Sequence, residues 1–350
     1  MSADVVIALD GMGGDRAPDM VVSGAARAQA RHPHVRFLLF GDRARLEPLV
    51  GAAPRLKGHC EIRHTVEAIA ADDKPSQALR RGRNSSMRLA IDAVAAGEAA
   101  GVVSAGNTGA LMAMAKFVMK TLPGIERPAI ASCLPTSRSE CVMLDLGANV
   151  ECDAENLVQF AVMGANFAHT VLGRLKPTVG LLNVGSEELK GHEAVRAAAE
   201  MLKAASGLPF TFQGFIEGDD IGKGTVDVVV TDGFTGNIAL KTAEGTARLV
   251  SSLMAAAFRR SIFSRLGYVF AKPALQALRS HLDPRQYNGG VFLGLNGIAV
   301  KSHGGTDATG FAAAIGLAAD MAAERITDKI IADFKLFRAG LPAAPKAALN

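Results

Sequence analysis

Val5-Val6-Ile7-Ala8-Leu9-Asp10-Gly11-Met12-Gly13-Gly14-Asp15 carries the grammar on which the rest of the chain is built. Five apolar residues, Val5 to Leu9, are too short for a helix and dense enough for a strand buried on both faces. A glycine-rich corner ends them, and an Ala-rich run with helical spacing follows from Pro18 to Ala30. The pattern returns along the chain. Val35–Phe40 leads into Gly41-Asp42, Gly101–Val103 into Ser104-Ala105-Gly106-Asn107-Thr108-Gly109, and Val142–Leu146 into Gly147-Ala148-Asn149. Val179–Leu182 then leads into Asn183-Val184-Gly185-Ser186, and Val226–Val230 into Thr231-Asp232-Gly233-Phe234-Thr235-Gly236-Asn237. Short apolar strands alternating with helices predict an α/β protein, a three-layer α/β/α sandwich around a mainly parallel sheet. Ligands of such sheets bind beyond the carboxyl ends of the strands, so the corners are expected to open together on one sheet edge.

Two stretches depart from this rhythm. Ala239 to Leu282 reads as one or two long helices, with Pro273 beginning the second, and Val291–Val300 returns to strand character. Thr306 to Phe334 reads as one closing helix. The expected organisation is an α/β catalytic domain over residues 1–240 and 284–337, a protruding helical hairpin over 241–283, and a disordered tail over 338–350.

The 350 residues are 49% hydrophobic and 21% charged, a balance that excludes disorder as the dominant state. Four cysteines, Cys60, Cys133, Cys141 and Cys152, are too few for a disulfide scaffold, three of them lie in strand-like runs, and the compartment reads as cytosolic. The start of the chain has no basic leader before an apolar stretch, and nothing in it is long and apolar enough to span a bilayer. Aromatic residues make up 5% and Trp is absent, which argues against a base-stacking nucleic-acid platform.

Glycine corners let backbone N–H groups approach an anion, and a following helix adds the positive end of its dipole. Gly11, Gly13, Gly14, Ser104, Gly106, Thr108, Gly185 and Ser186 are the candidate anion-binding positions. The named nucleotide fingerprints fail, because Arg16 stands where a third glycine would fall and Gly222-Lys223 is followed by Gly224. The corner Gly185-Ser186-Glu187-Glu188-Leu189-Lys190-Gly191-His192 carries a cation suited to phosphate, Lys190, and a proton carrier, His192. Lys301-Ser302-His303-Gly304-Gly305 repeats that composition, with Lys301 as a further anion-binding candidate. No Cys-x-x-Cys occurs, His32-Pro33-His34 is too close-set for a metal pair on one helix face, and no metal site is expected. A nucleophile elbow at Ser104 would need glycine where Val102 stands. Cys133, Cys141 and Cys152 remain as nucleophiles without a visible base.

Charge is unevenly placed. The whole chain is +4, yet Gly245 to Leu282 holds Arg248, Arg259, Arg260, Arg265, Lys272 and Arg279 and no acid. Within it Ile262, Phe263, Leu266, Val269 and Phe270 recur at helical spacing, the pattern of a helix lying on an anionic membrane surface. A second run, Lys74, Arg80, Arg81, Arg83 and Arg88, suits an acidic macromolecule.

The corners in their order, Asp10 to Asp15, Ser104 to Ala110, Asp145 to Asn149, Asn183 to Glu188 with Lys190-Gly191, and Asp232 to Asn237, resemble the bacterial phosphate acyltransferases of phospholipid synthesis, the PlsX family. The likeness runs from about residue 5 to residue 335. It implies a homodimeric α/β/α enzyme similar in fold to phosphotransacetylases and the isopropylmalate-dehydrogenase group. It implies reversible transfer of a long fatty acyl chain from acyl carrier protein (ACP) to inorganic phosphate, the acyl phosphate then passing to a membrane glycerol-3-phosphate acyltransferase. Such a reaction needs no ATP or redox cofactor, and none is expected. On this reading Lys190, Asn237, Asn107 and His192 are the catalytic candidates, the two amides serving the oxyanion, and phosphate attacks directly. Arg80, Arg81, Arg83, Arg88, Arg259 and Arg260 would dock ACP, and the 262–270 stripe would hold a cytoplasmic enzyme on the membrane. The alternatives are a phosphotransacetylase acting on short acyl-CoA and a non-catalytic membrane scaffold.

Overall fold

The computed structural model describes residues 5–281 and 289–340. Its first half runs β1 (Val5–Asp10), α1 (Asp19–Arg31), β2 (Val35–Gly41), α2 (Arg43–Gly51), β3 (Cys60–His64), α3 (Pro75–Arg81), α4 (Ser86–Ala95), β4 (Gly101–Ser104) and α5 (Thr108–Met119). There follow β5 (Ala129–Pro135), β6 (Glu140–Leu144), α6 (Ala154–Leu172), β7 (Thr178–Leu182), α7 (Glu193–Ala204), β8 (Thr211–Ile216), α8 (Gly218–Lys223) and β9 (Val228–Val230). The chain closes with α9 (Gly233–Arg259), α10 (Ile262–His281), β10 (Gly290–Leu293), β11 (Ile298–Lys301), α11 (Ala308–Ala323) and α12 (Ile326–Gly340).

All these strands join one sheet in the order β3-β2-β1-β4-β11-β10-β5-β6-β9-β7-β8. Alternation along each strand feeds two layers, as a strand buried on both faces requires. Ile7 and Leu9 pack with α1, α6, α11 and α12, while Ala8 packs with α3, α4 and α5 on the opposite face. Under β6 and β9 the second face is closed by Cys141, Met143, Val229 and the first turns of α9. The α/β/α sandwich with a mainly parallel sheet is therefore present.

The expectation that every corner opens on one edge is corrected. β3, β2, β1, β4 and β11 run parallel to one another. β10 is antiparallel to β11 and to β5, and β5 is antiparallel to β6. β6, β9, β7 and β8 are again mutually parallel, now in the reverse sense. The carboxyl ends of β1, β4 and β11 thus face one edge and those of β6, β9 and β7 the other. Three successive antiparallel pairings, β11–β10, β10–β5 and β5–β6, cause the reversal, and the first and last are hairpins. The Val291–Val300 stretch is two strands joined through Gly294-Leu295-Asn296-Gly297, with Gly294 at φ +89°, a conformation that suits glycine. Thr136 and Ser139 close the β5–β6 turn through Thr136 N–H and the Ser139 carbonyl at 2.8 Å.

Helix boundaries differ from expectation too. The second long helix starts at Ile262, with Pro273 inside it, because Ser261 caps it by accepting from Ser264 N–H at 3.0 Å. α9 runs unbroken across the boundary expected at 240/241. The closing segment is two helices, parted at Arg325, whose φ is +51°. Of the tail expected to be disordered, residues 338–340 belong to α12 and 341–350 lie outside the described residues, as do 282 and 283 of the expected hairpin.

Packing of α1 on α11 rests on Gly24, where a Cβ would lie 2.9 Å from the buried Phe311 ring. Phe311→Ala is expected to lower stability by about 3–5 kcal/mol in chemical denaturation, the cost of a large void between two close helices; a loss under about 1 kcal/mol would show that this contact does not organise the layer.

Candidate active site

One carboxylate shapes the edge formed by β6, β9 and β7. Asp145 follows β6 and is buried, and its Oδ1 accepts N–H bonds from Ile130 (2.9 Å), Ala148 (3.0 Å) and Gly147 (3.2 Å). Its Oδ2 accepts from the backbone N–H of Asn149 (2.7 Å) and from Asn149 Nδ2 (2.9 Å). Burial pushes its pKa up, against the pull of these donors. The Gly147-Ala148-Asn149 amides therefore wrap their own carboxylate. Gly233 N–H donates to the Asn149 carbonyl at 2.7 Å, which fastens the start of α9 to this corner. Gly236 lies against the Asp145 carbonyl with no room for a Cβ. Asp232 caps α9, accepting from Thr235 N–H at 2.8 Å and from its hydroxyl at 2.9 Å. One turn into that helix, Asn237 is exposed, and its Nδ2 donates to the Leu146 carbonyl at 3.2 Å.

The corner after β7 stands beside it, since β7 pairs with β9 in parallel register. Asn183 Nδ2 donates to the Lys190 carbonyl at 3.0 Å, and Gly191, at φ +88°, sits over the Asn183 side chain. Lys190 is exposed and pairs with Glu187 Oε1 at 2.9 Å, which raises the lysine pKa and lowers that of Glu187. It is a permanent cation held in place. Gly185 is buried beneath this pair, Ser186 is exposed, and His192 stands at the exposed start of α7 with no side-chain capping bond. Lys190, Asn237, Gly185, Ser186 and His192 are thereby gathered on one edge. Sequence reading missed Glu187 as the lysine's partner, although its i,i+3 spacing was a visible signal.

The remaining corner residues lie on the other edge and are largely turned inward. Asp10 is buried, its Oδ1 accepting from Ser86 Oγ (2.6 Å) and Met12 N–H (3.3 Å), its Oδ2 from Ser104 Oγ (2.7 Å). Ser104 in turn accepts from Gly106 N–H at 3.0 Å, so the expected anion ligands Ser104 and Gly106 serve an internal carboxylate. Gly13 is a glycine because a Cβ would strike Asp10, and Gly11 because one would come within 2.6 Å of the Phe40 carbonyl. Gly14, at φ +108°, packs on Ala105, and Asp15 N–H donates to the Gly304 carbonyl at 3.0 Å. Asn107, expected as an oxyanion donor, is engaged as a clamp. Its Oδ1 caps α5 through Ala110 N–H (2.9 Å), and its Nδ2 donates to the carbonyls of Ala71 and Asp73 (2.9 Å each). Thr108 is exposed in the first turn of α5. Lys301 points its ammonium at the carbonyls of Ala105 (3.4 Å) and Ser302, and burial lowers its pKa to about 8 despite Asp10 and Asp15 nearby. His303 Nδ1 accepts from Gly305 N–H at 3.2 Å.

Burial pushes all four cysteines up to about 12, which favours the protonated thiol at neutral pH. Among the described residues no group of three or more His, Cys, Asp or Glu is placed to hold a metal ion, and no helix is long and apolar enough to cross a membrane. Arg80, Arg81 and Arg83 are exposed on and after α3. Arg88, expected with them, is mostly covered, pairs with Asp92 at 2.8 Å and lies over the Phe117 ring. Arg259 and Arg260 are exposed where α9 meets α10, as are Ile262, Phe263, Leu266, Val269 and Phe270, and Phe258 packs edge-on against Tyr268 at 5.4 Å.

Comparison with known proteins gives three results. A family model described as fatty acid synthesis protein matches residues 5–329. The phosphate acyltransferase of Rhodospirillum centenum is 63% identical over 344 residues, covering 98% of this chain and 97% of that protein. The phosphate acyltransferase of Paramagnetospirillum magneticum is 59% identical over 334 residues, covering 95% of each. In fold, the chain is similar to a phosphotransacetylase from Streptococcus pyogenes, with a TM-score of 0.64 at 18% identity over 92% of this chain and 94% of that one. The EutD phosphotransacetylase from Staphylococcus aureus gives 0.61 at 19% over 92% and 95%.

Burial of Lys301 predicts a pH-dependent stability. For Lys301, the unfolded chain holds a proton between about pH 8 and 10.5 that the folded chain has released, so stability climbs with pH across that window. Chemical denaturation near pH 7 and near pH 10 should show a rise of up to about 3 kcal/mol that Lys301→Met lacks; parallel slopes in the two proteins would count against the buried ammonium.

Proposed function

Because the chain belongs to the fatty acid synthesis protein family and is an acyltransferase of the phosphate acyltransferase kind, we propose that it reversibly transfers a long-chain fatty acyl group from acyl-ACP to inorganic phosphate. The observation that carries this reading is that an exposed cation held by Glu187, Lys190, and an exposed amide, Asn237, stand on corners that follow adjacent parallel strands. The non-catalytic scaffold is set aside by membership of an enzyme family.

Lys190, with Gly185 and Ser186 beneath and beside it, receives hydrogen phosphate dianion. A phosphate oxygen attacks the thioester carbonyl carbon, a C–O bond forms, and negative charge gathers on the carbonyl oxygen. Asn237 Nδ2 and the Lys190 ammonium stabilise that charge, a service that preorganised donors perform best at a fixed edge. The C–S bond then breaks, the electron pair leaves with sulfur, and the proton of the phosphate passes to the thiolate, with His192 as its carrier. Acyl phosphate and free carrier thiol are the products. The cysteines take no part, since their protonated state leaves direct attack by phosphate as the economical path.

Partners follow from the same reading. ACP is acidic and suits Arg80, Arg81, Arg83, Arg259 and Arg260. The product is amphiphilic and is consumed by a glycerol-3-phosphate acyltransferase in the membrane. Ile262, Phe263, Leu266, Val269 and Phe270, exposed beside arginines, hold a cytoplasmic enzyme peripherally on anionic lipid. Leu249, Val250 and Leu253, exposed on α9, are the face through which a homodimer would form.

The assay follows thiol release from palmitoyl-ACP with and without phosphate. Release should depend on phosphate, and Lys190→Ala and Asn237→Ala should each lower kcat/KM by about 10²-fold or more. Release from acetyl-CoA alone would move the assignment to a short-chain phosphotransacetylase. For the membrane, Phe263→Glu and Leu266→Glu should each abolish sedimentation with anionic vesicles while phosphate-dependent turnover in solution persists; continued sedimentation of both would rule out the stripe.

A further inference from the structure

We propose that Val150, Val184, Leu189, Phe234 and Ile238 form an open apolar lip that seats the aliphatic chain of the acyl donor. The proposal rests on the acyl-transfer reading above and adds to it where the chain lies. β6, β9 and β7 are adjacent and parallel, so their corners open side by side. Each corner exposes large apolar side chains that a folded chain would ordinarily cover. Leu189 is 88% exposed, Val184 73% and Val150 67%, and Phe234 and Ile238 are more than half exposed. Single exposed apolar residues are unremarkable, but five on three neighbouring corners of one edge are a concentration of the kind that marks binding surfaces.

Their placement relative to the polar site chooses the occupant. Leu189 precedes Lys190, Val184 precedes Gly185, Ile238 follows Asn237, and Phe234 follows Gly233, whose N–H is bonded to the corner that bears Val150. Lys190, Gly185 and Asn237, assigned to the reacting carbonyl or to phosphate, thus each have an exposed apolar neighbour in the chain. A carbonyl held between Lys190 and Asn237 must send its attached carbon chain out across those neighbours. An aliphatic chain gains from covering them, and they gain from being covered, by removal of apolar area from water on both sides. Because the five stand on loops and the first turns of a helix, the seat grips the methylenes nearest the carbonyl and leaves the far end of the chain unconfined.

The test compares kcat/KM for hexadecanoyl and butanoyl groups on the same carrier, with Leu189→Gln, Phe234→Gln and the pair. Both positions are exposed, so folding should survive, and circular dichroism confirms it. The hexadecanoyl-to-butanoyl ratio should fall about tenfold for each single change and further for the pair, as expected when contacts to a few methylenes are lost. A ratio within twofold of the unsubstituted protein, or an equal loss with both donors, overturns the proposal. If the ratio holds and light scattering instead shows an altered subunit number, the lip is a contact with a second copy of the chain, and the proposal is again overturned. The unsubstituted protein is measured first: absence of phosphate-dependent release from either donor defeats the transfer reading itself, a result distinct from an unaltered chain-length ratio in active variants.

Discussion

β10 and β5 run against their neighbours at the centre of the sheet, and through them the direction of the strands turns over. In a parallel sheet every βα corner faces the same way, and a site can be assembled from all of them. Here the reversal divides the corners between two edges. β1, β4 and β11 send theirs to one, with an internal lattice of Asp10, Ser86, Ser104 and Lys301. β6, β9 and β7 send theirs to the other, where Lys190 and Asn237 meet solvent. The edge on which each corner candidate lies follows from that one change of sense.

Both edges share a device. A buried aspartate at or just after the end of a strand accepts the N–H groups of the turn that follows it, Asp10 after β1 and Asp145 after β6. Glycines surround each carboxylate because side chains would displace it or its neighbours, as Gly13 does at Asp10 and Gly233 at Asp145. Donors that a bound anion would otherwise use are satisfied from within. The turn that follows β6 is thereby tied to its own carboxylate.

Environment separates two lysines of the same type. Lys190 stands in water beside Glu187 and keeps its proton. Lys301 is enclosed by carbonyls, and the cost of burying its charge brings deprotonation within reach of neutral pH. α9 adds a second link. The helix that carries Asn237 in its second turn runs unbroken to Arg259, next to the basic and apolar surface of α10. The Asn237 corner and the exposed helices are thereby joined by one continuous helix.

Much of this was legible along the chain. Strands β1, β2, β4, β7 and β9 announce themselves as apolar runs ending in glycine corners, because burial on both faces leaves no room for polar alternation. β3 and β8, at the sheet edges, are half polar and gave no such run. Gly294 and Gly297 marked a hairpin that the apolar residues on either side concealed. Lys190, Asn237, Asn107 and Ser104 look equivalent by residue type and corner position, yet the first two are exposed on one edge while the last two are engaged by internal partners on the other. The amino-acid sequence was enough for the class of fold, the places where strands end, and the supply of cations, amides and exposed apolar helix, since each depends on local pattern. Which corners share an edge, and which polar groups face inward, depends on strand pairing between distant segments and on the carboxylates those segments bury. Those are properties of the assembled sheet, and no local pattern carries them.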